Sequence, residues 1–387
     1  MKNLIIKFCF FFLSFGLALG IGEILVRRFQ PQIPYTKAHN YSFNCYEKDT
    51  LLPFSLAKNH TCTMDALTTG EFHQQATINS LGYRSPEFSL KKPVGTKRIL
   101  VLGDSFTFGH GVGDRQIYPF IAGELLKQKG YKNAEVINAG YASGFSPDSY
   151  YLYLKERGMK LKPDVVVVGF FVFNDIADLV ETVWDNVDEN GLPVKISSCC
   201  RTVDDHRLHY KESQLRYKFP ILRDSHLFIL LVTTLQNRFH LFGDTLYISK
   251  HNPPPGCAFS PQCIEEVKIE EDKVHLVLKG MKQLADKQGI PLVVVLIPID
   301  FQLYPQMRWK YPFNNFPPPD NINFIQKRLG AFFKEQHILF LDLYPILDSR
   351  RAMGNPYYPV DGHFNPLGHQ IAAQAIADYI SEQKLIH

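Results

Sequence analysis

An apolar run of strand type ends abruptly in a Gly-Asp-Ser turn within the stretch Lys97-Arg98-Ile99-Leu100-Val101-Leu102-Gly103-Asp104-Ser105-Phe106-Thr107-Phe108-Gly109. The run predicts a buried β-strand, and the three turn residues predict that the chain leaves the sheet at Ser105. In open α/β sheets, functional sites lie at the edge where the strands end. Ser105 is therefore a candidate nucleophile, although Gly-Asp-Ser alone is equally typical of an ordinary turn.

Outward from this stretch, strand and helix patterns alternate along the chain. Continuous apolar runs predict strands at residues 98–102, 134–138, 164–172, 291–299 and 338–343. Helical spacing predicts helices at residues 118–129, 146–157, 265–287, 323–334 and 370–380. This alternation predicts an α/β fold of flavodoxin-like type, with three layers in the order α/β/α and a central five-stranded, mostly parallel sheet.

The 387 residues divide by composition into three predicted regions. Residues 1–28 form an N-terminal transmembrane anchor or signal segment, residues 29–95 an irregular extracytoplasmic lead, and residues 96–387 the α/β domain. A polar insertion breaks the alternation at about residues 180–262. An apolar helix within it, at 226–242, is predicted to pack on the domain, with a lid or a membrane contact as alternatives.

The N-terminal segment is apolar over residues 4–26, which is about the length of a membrane-spanning helix. Ala18-Leu19-Gly20 resembles a signal-peptide cleavage site, but the apolar run continues through Ile24, Leu25 and Val26, which favours an uncleaved anchor. Both interpretations place the rest of the chain outside the cytoplasm, either anchored in the membrane or secreted after cleavage.

Cysteine usage agrees with an oxidising compartment. Six of the seven cysteines lie outside the apolar segment, and this even number suits disulfides. Cys45 with Cys62 and Cys257 with Cys263 would close short local loops. Cys199 and Cys200 are adjacent and are not expected to form a simple pair, so other pairings stay open. Because no Cys-x-x-Cys or His-rich spacing is present, neither a metal nor an organic cofactor is predicted.

Serine-dependent ester chemistry needs a nucleophile, a base, a carboxylate that orients the base, and N–H donors for the oxyanion. Near the C-terminus, one glycine separates Asp361 from His363 in a loop before the last predicted helix, so both side chains can point to one place. His369 competes as the base, but it lies at the expected start of the helix, so His363 is preferred. Each of these residues alone is also typical of a surface loop or a helix cap.

Two further predicted strand ends supply candidate donors for an oxyanion. Asn174 follows the third strand, and its side-chain amide can donate a hydrogen bond. The glycine block at residues 138–146 follows the second strand and contains Gly140 and Gly144. A glycine there lets a backbone N–H approach a substrate closely. Ordinary loop chemistry is the alternative, because Asn and Gly are common after strands.

Together these motifs resemble the SGNH (GDSL-type) hydrolase superfamily, which includes exported and membrane-anchored bacterial esterases. The matching blocks are, in chain order, Asn79-x-x-Gly82-Tyr83-Arg84, Gly103-Asp104-Ser105, Phe106-Thr107-Phe108-Gly109-His110-Gly111-Val112, the glycine block, Asn174-Asp175 and Asp361-x-His363. The resemblance covers about residues 79–180 and 290–380.

The resemblance implies a role for each matched residue. The implied roles are nucleophile for Ser105, base for His363, orienting acid for Asp361, and oxyanion donors for the Ser105 N–H, Gly144 (with Gly140 as its alternative) and Asn174. The neighbouring acids, Asp104 and Asp175, are expected to be structural.

The acid and base are spaced Asp-x-His rather than Asp-x-x-His, which resembles alginate-acetylation members of the superfamily. The predicted function is an extracytoplasmic serine ester hydrolase that removes O-acyl groups from a glycan or a lipid-like ester through an acyl-serine. The alternatives are a polysaccharide O-acetyltransferase that uses the same acyl-enzyme and a non-catalytic binding protein with the same fold. The expected partners are the ester substrate and a membrane, and the net charge of +4 is too small to indicate nucleic acid.

Overall fold

The computed structural model describes residues 2–30, 43–66, 69–141, 144–199, 201–210, 222, 225–239, 256–311, 317 and 321–386. Within these residues the strands are β1 (Tyr46–Glu47), β2 (Ser55–Leu56), β3 (His60–Asp65), β4 (His73–Ile78), β5 (Lys97–Gly103), β6 (Ala134–Gly140), β7 (Val165–Phe171), β8 (Thr182–Val187), β9 (Pro193–Ser198), β10 (Arg201–Asp204), β11 (Arg207–Tyr210), β12 (Leu292–Ile297) and β13 (Leu339–Asp342).

The α-helices of the same residues are α1 (Lys2–Phe29), α2 (Ser105–Phe108), α3 (Tyr118–Gln128), α4 (Pro147–Glu156), α5 (Asn174–Ala177), α6 (His226–Phe239), α7 (Lys268–Asp286), α8 (Asp300–Leu303), α9 (Phe324–Glu335), α10 (Leu343–Ser349) and α11 (Pro366–Glu382). Ala142 and Ser143 of the glycine block, and much of the predicted insertion between residues 211 and 255, lie outside the described residues.

The central sheet has five strands in the order β13-β12-β7-β5-β6, and every neighbouring pair is parallel. All five correspond to strands predicted from the sequence. The sequence of β7, Val-Val-Val-Val-Gly-Phe-Phe, shows why: each of its residues is buried, as expected for a parallel strand covered on both faces. The predicted five-stranded sheet is confirmed, and its pairings are parallel throughout.

Helices cover both faces of this sheet. Val136 of β6 packs against Gly123 of α3, and α3 packs against α11. Leu100 of β5 packs against Gly158, just after α4, and α4 packs against α7. Ile99 pairs with Val136, and successive residues of a strand point to opposite faces, so these two helix layers lie on opposite sides of the sheet. The predicted α/β/α architecture is therefore confirmed.

The segment predicted to be an irregular lead contains two antiparallel strand pairs, β1–β2 and β3–β4. Only alternate residues of β3 and β4 are buried, namely Cys62, Met64, Ala76 and Ile78. A disulfide joins Cys62 to Cys45, as the spacing predicts, and a second joins Cys257 to Cys263. Because each strand contains more polar than apolar residues, the sequence of this hairpin gives only a weak β-strand signal.

Two compact units are distinguished by their internal contacts, and one comprises Met1–Tyr41 with Tyr210–Lys250. Its helix α1 contains Ile6–Phe29, a 24-residue segment that is long and apolar enough to cross a membrane, and an 18-residue stretch within it has a mean hydropathy of 2.1. The Glu23 carboxylate of α1 accepts hydrogen bonds from the N–H groups of His226 (2.9 Å) and Leu227 (2.8 Å) at the start of α6. Helix α6, which the sequence predicts to pack on the α/β domain, thus packs against α1.

The other unit comprises Ser42–His209 with His251–His387 and contains the whole parallel sheet. Its core is built from the sheet strands, the covering helices and the inward side chains of the β3–β4 hairpin. The strand pair β8–β9, which belongs to the predicted insertion, is antiparallel and is part of this unit. The carboxyl ends of β5, β6, β7 and β12 meet at one edge of the sheet, where the candidate residues follow.

Candidate active site

The loop that carries Ser105 is set by its nearest neighbours in sequence. Strand β5 ends at Gly103, and the chain turns at once into α2, whose first residue is Ser105. Asp104 Oδ1 accepts a hydrogen bond from the Phe106 N–H at 3.0 Å and so caps this turn. Gly109 follows with a left-handed φ of +91°, and its N–H donates to the Ser105 carbonyl oxygen at 2.9 Å. Ser105 is consequently fixed just beyond the sheet edge.

The upstream motif that contains Asn79 and Arg84 fixes the backbone that follows α2. Arg84 is fully buried, and its guanidinium pairs with Asp114 at 2.9 Å. It also donates to the buried carbonyl oxygens of Phe108 (3.0 Å), Gly109 (2.6 Å) and Val112 (2.6 Å). Asn79 Oδ1 accepts two backbone N–H bonds, each of 3.0 Å, from the turn that leads to Arg84. Asn79 and Arg84, the upstream part of the resemblance, thus support the backbone of the Ser105 loop.

The structure brings Ser105, His363 and Asp361 together in one hydrogen-bonded chain. Ser105 Oγ lies 2.7 Å from His363 Nε2. On the other side of the ring, His363 Nδ1 lies 2.6 Å from Asp361 Oδ1, and the His363 backbone N–H donates to the same oxygen at 3.1 Å. With Nδ1–H donating to the carboxylate, Nε2 is left as an acceptor for the serine hydroxyl. This arrangement suits transfer of a proton from the serine to the imidazole.

The electrostatics of the pair favour a basic imidazole. Burial works against a charged ring, but the hydrogen-bonded carboxylate of Asp361 outweighs it and raises the pKa of His363 above its ordinary value. Burial also opposes the Asp361 charge, yet His363 holds the pKa of that carboxyl well below its usual range. Asp361 therefore stays ionised and stabilises a proton that arrives on the ring.

His369, the competing candidate for the base, is used differently. Its Nδ1 accepts a hydrogen bond from the Tyr118 backbone N–H at 3.2 Å, and the residue is fully buried within α11. Burial lowers the pKa of His369 to about 3, so the ring is neutral. The structure thus places His363, and not His369, against Ser105.

A second imidazole, His110, lies beside the pair and was not singled out by the sequence. Its ring centroid lies 4.8 Å from that of His363, and its Nε2 lies 4.0 Å from Asp361 Oδ2. Burial lowers the pKa of His110 to about 4, which keeps this ring neutral beside His363. Its position five residues after Ser105, directly after Gly109, is the sequence signal that could have indicated it. The ring nitrogens and carboxylate oxygens of His110, Asp361 and His363 also lie within 4.8 Å of one another, close enough to be considered as metal ligands.

The acids beside the candidate residues, Asp104 and Asp175, are buried. Asp175 accepts hydrogen bonds from the Tyr150 hydroxyl (2.7 Å) and the Phe171 N–H (3.0 Å). Burial raises the pKa of Asp104 and of Asp175, and the charge of Asp104 raises that of Asp175 further. These contacts, together with the cap that Asp104 forms, agree with the structural role expected for both.

The three predicted oxyanion donors besides Ser105 lie at or after strand ends at the same sheet edge: Gly140 is the last residue of β6, Gly144 follows β6 and Asn174 follows β7. A Cβ on Gly140 would lie 2.5 Å from the Phe108 nitrogen, so this glycine is required for close packing against α2. Gly144 has a left-handed φ of +64°, and a Cβ there would collide with the guanidinium of Arg201. The Asn174 amide nitrogen donates to the Asp178 carboxylate at 3.1 Å, and the Asn174 side chain also hydrogen-bonds the Asp104 carboxyl group. Their oxyanion roles stay predictions.

Comparison with known families points to the same superfamily that the sequence motifs resemble. Residues 262–387 match the family model described as "SGNH hydrolase-like domain, acetyltransferase AlgX". This range includes the last two sheet strands, Asp361 and His363. The last third of the chain thus matches an SGNH hydrolase-like domain, which confirms the predicted resemblance.

Individual relatives are distant. The chain is 22% identical over 129 residues to the "Probable alginate O-acetylase AlgJ" of Pseudomonas putida. That match covers 33% of this chain and 32% of the relative, so it spans about a third of each. A catalytic mutant of an acetylxylan esterase from Geobacillus stearothermophilus is 12% identical, with a TM-score of 0.38, over 75% of this chain and 96% of the esterase. A GDSL-like lipase from Bacteroides thetaiotaomicron is 13% identical, with a TM-score of 0.38, over 76% of this chain and 93% of the lipase.

Proposed function

We propose that this protein is a serine-dependent enzyme that cleaves or transfers O-acyl groups outside the cytoplasm, with a glycan or a lipid-like ester as substrate. The observation that carries the proposal is the hydrogen-bonded chain from Ser105 Oγ through His363 to Asp361. Its two side-chain distances, 2.7 and 2.6 Å, lie within the range that general-base activation of a nucleophile requires.

In the first half-reaction the Ser105 hydroxyl gives its proton to His363 Nε2, and Oγ attacks the ester carbonyl carbon. The carbonyl electron pair moves to the oxygen, which accepts hydrogen bonds from the Ser105 N–H, from Asn174 and from Gly144 or Gly140. Asp361 stabilises the imidazolium that forms. The C–O bond to the alcohol then breaks, the alcohol takes the proton from Nε2, and an acyl-serine remains.

In the second half-reaction a hydroxyl attacks the acyl-serine. His363 takes its proton, the new oxygen bonds to the carbonyl carbon, and the bond to Ser105 Oγ breaks as Oγ regains a proton. If water attacks, the protein is an ester hydrolase, which the site geometry supports without further residues. If a sugar hydroxyl attacks, the protein is an O-acetyltransferase, and the AlgX-type family match and the O-acetylase relative favour this second candidate.

The compartment is part of the proposal. The apolar segment Ile6–Phe29 suits an uncleaved membrane anchor, with secretion after cleavage as its alternative. The disulfides Cys45–Cys62 and Cys257–Cys263 suit an oxidising environment. We infer that the site faces the periplasm or the exterior, where acylated glycans are substrates.

The test of the proposal is the loss of activity in Ser105→Ala. Full-length protein in detergent is assayed with an aryl acetate, and we expect Ser105→Ala to lower kcat/KM at least about 10³-fold. Ser349→Ala, which removes an exposed hydroxyl that donates to the Ile346 carbonyl at 2.8 Å, is the matched control and should equal the wild type. Unchanged turnover in Ser105→Ala would overturn the proposal.

A second measurement separates the two candidate reactions and the non-catalytic alternative. The aryl acetate is supplied with and without an oligosaccharide, and free acetate and acetylated sugar are quantified. Sugar acetylation that requires Ser105 identifies a transferase, while acetate alone identifies a hydrolase. A protein that neither turns over the ester nor reacts with a fluorophosphonate at Ser105 is the binding protein.

A further inference from the structure

The loop that carries Asp361 and His363 is a tight turn whose outer backbone groups are bound by distant side chains. Within the turn, the Tyr358 N–H donates to the His363 carbonyl and the Gly362 N–H donates to the Tyr358 carbonyl, each at 2.9 Å. Gly362 has a left-handed φ of +89°, which closes the turn. These internal bonds leave the backbone polar groups of residues 359–361 for partners elsewhere in the chain.

Glu71, from the connection between β3 and β4, binds one side of the turn. Its Oε1 accepts the Val360 N–H at 2.7 Å, and its Oε2 accepts the Asp361 N–H at 2.9 Å. One carboxylate thus holds two consecutive amides, and such charge-assisted bonds are shorter and stronger than neutral ones. The Thr69 hydroxyl donates to Oε2 at 3.1 Å and helps to hold the carboxylate in place.

Lys310 binds the opposite side of the turn. Its Nζ donates to the Pro359 carbonyl oxygen at 3.1 Å and pairs with Asp300 at 2.5 Å. The Tyr311 hydroxyl donates to the same carboxyl group at 2.6 Å. The Lys310 and Asp300 side chains are only 8% and 1% exposed, so this ion pair is shielded from water. A Cβ on Gly362 would lie 3.1 Å from Nζ, which shows how closely the ammonium approaches the turn.

The two contacts meet on a single peptide group. The peptide that joins Pro359 to Val360 has its oxygen on the Lys310 ammonium and its N–H on the Glu71 carboxylate. The next peptide along the chain joins Val360 to Asp361, and its N–H is bound by the other oxygen of the same Glu71 carboxylate. The positive Lys310 therefore faces the negative oxygen end of the Pro359–Val360 peptide dipole, and the negative Glu71 faces its positive N–H end.

We infer that Glu71 and Lys310 are positioning residues for the Asp361–His363 pair, acting through the Pro359–Val360 peptide and not through contact with the substrate. This inference rests on the proposed function, because it concerns how the base is held against Ser105. Misplacement of a reacting group by about 1 Å reduces rates by about 10²-fold. Loss of either contact should slow activation of Ser105 and leave binding of a small ester unchanged.

The chain supplies a matched control for each residue. Glu87 accepts a backbone N–H (2.8 Å) and a hydroxyl (2.7 Å), both from Ser80, so Glu87→Gln repeats the chemistry of Glu71→Gln elsewhere. Lys92 pairs with Asp164 at 2.6 Å and donates to a backbone carbonyl at 3.1 Å, so Lys92→Met repeats that of Lys310→Met.

The experiment measures the second-order rate at which a fluorophosphonate labels Ser105 in the full-length protein, as a function of pH, together with KM for an aryl acetate. We expect Glu71→Gln and Lys310→Met to label about 10- to 100-fold more slowly, with KM unchanged, and both controls to label at the wild-type rate. The Lys310 charge lowers the pKa of His363, so its removal should move the acid limb of the Lys310→Met profile to higher pH, and Lys310→Arg should restore the limb.

Each outcome decides between the two claims. If the wild type labels and both variants label equally fast, the positioning role is wrong while the proposed function stands. If the controls slow as much as the variants, the effect is a general loss of stability and the positioning role is also wrong. If the wild type does not label at all, the proposed function fails first. Should Lys310→Met not fold, Glu71→Gln alone carries the test, because Glu71 is only partly buried.

Discussion

The two loops that meet at the candidate site are held in different ways. The Ser105 loop is fixed by its own sequence, through the cap that Asp104 forms and the left-handed Gly109. It is also held by Arg84, which lies 24 positions before Phe108 and 28 before Val112, whose carbonyl oxygens it binds. The loop with His363 is bound from outside, by Lys310 and by Glu71, the latter 289 positions before Val360. A local pattern can therefore indicate the nucleophile, whereas the orientation of the base depends on contacts that only the folded chain creates.

The largest expected effect comes from the acid in the externally held loop. Asp361→Asn removes the carboxylate that sets the His363 tautomer, and we expect kcat/KM to fall about 10³- to 10⁴-fold. Asp361 raises the pKa of His363, and only the neutral ring acts as the base, so wild-type activity is lost as pH falls through that raised pKa. In Asp361→Asn the remaining activity should persist to lower pH.

A pH–rate profile of both proteins with an aryl acetate tests this prediction. Asp348→Asn, which removes an exposed carboxylate paired with Arg351 at 2.6 Å, should leave the profile unchanged. A residual activity within tenfold of the wild type, or an acid limb that does not move, would show that Asp361 does not orient the base.

The next effect concerns the buried cation of the Ser105 loop. Arg84→Met leaves Asp114 and the buried carbonyl oxygens of Phe108, Gly109 and Val112 without their donor, and each buried acceptor left unsatisfied costs about 1–3 kcal/mol. Arg351→Met, at a pair that is 43% and 44% exposed, should change the free energy of unfolding by less than about 0.5 kcal/mol. Urea denaturation compares the two, and equal losses would contradict the role given to Arg84.

The smallest of the three effects tests the close packing between β6 and α2. A Cβ on Gly140 meets the backbone nitrogen of Phe108 at 2.5 Å, so Gly140→Ala should reduce the free energy of unfolding by about 1–3 kcal/mol. In Gly113→Ala the nearest atom would lie 3.4 Å away, on the Gln116 side chain, and stability should stay within about 0.5 kcal/mol of the wild type. If both variants unfold at the same urea concentration, the contact with α2 is not a constraint.

The sheet could be predicted because its signal is local. Strands such as β7 and β12 are short continuous apolar runs, and burial on both faces demands that pattern. The β3–β4 hairpin escaped prediction because only two residues of each strand face the core, and polar residues fill the rest. A half-buried strand with so few apolar positions looks like a loop in sequence.

The candidate site divides in the same way. Ser105, Asp361 and His363 were identified by residue type and position, and the structure brings them together, while their catalytic roles and those of the oxyanion donors stay predictions. Glu71 and Lys310 carried no such signal, since they bind backbone groups, which every residue has. Sequence patterns reveal side chains that do chemistry more readily than side chains that hold a peptide in place.

The distance along the chain between the two halves of the site also determines when activity can begin. Ser105 and His363 are 258 positions apart, so a nascent chain exposes its serine long before its imidazole has been synthesised. The reactive pair therefore cannot form on the ribosome before residue 363 has been synthesised. Under the proposed function, a chain becomes competent only after the segment that carries His363 has joined the fold.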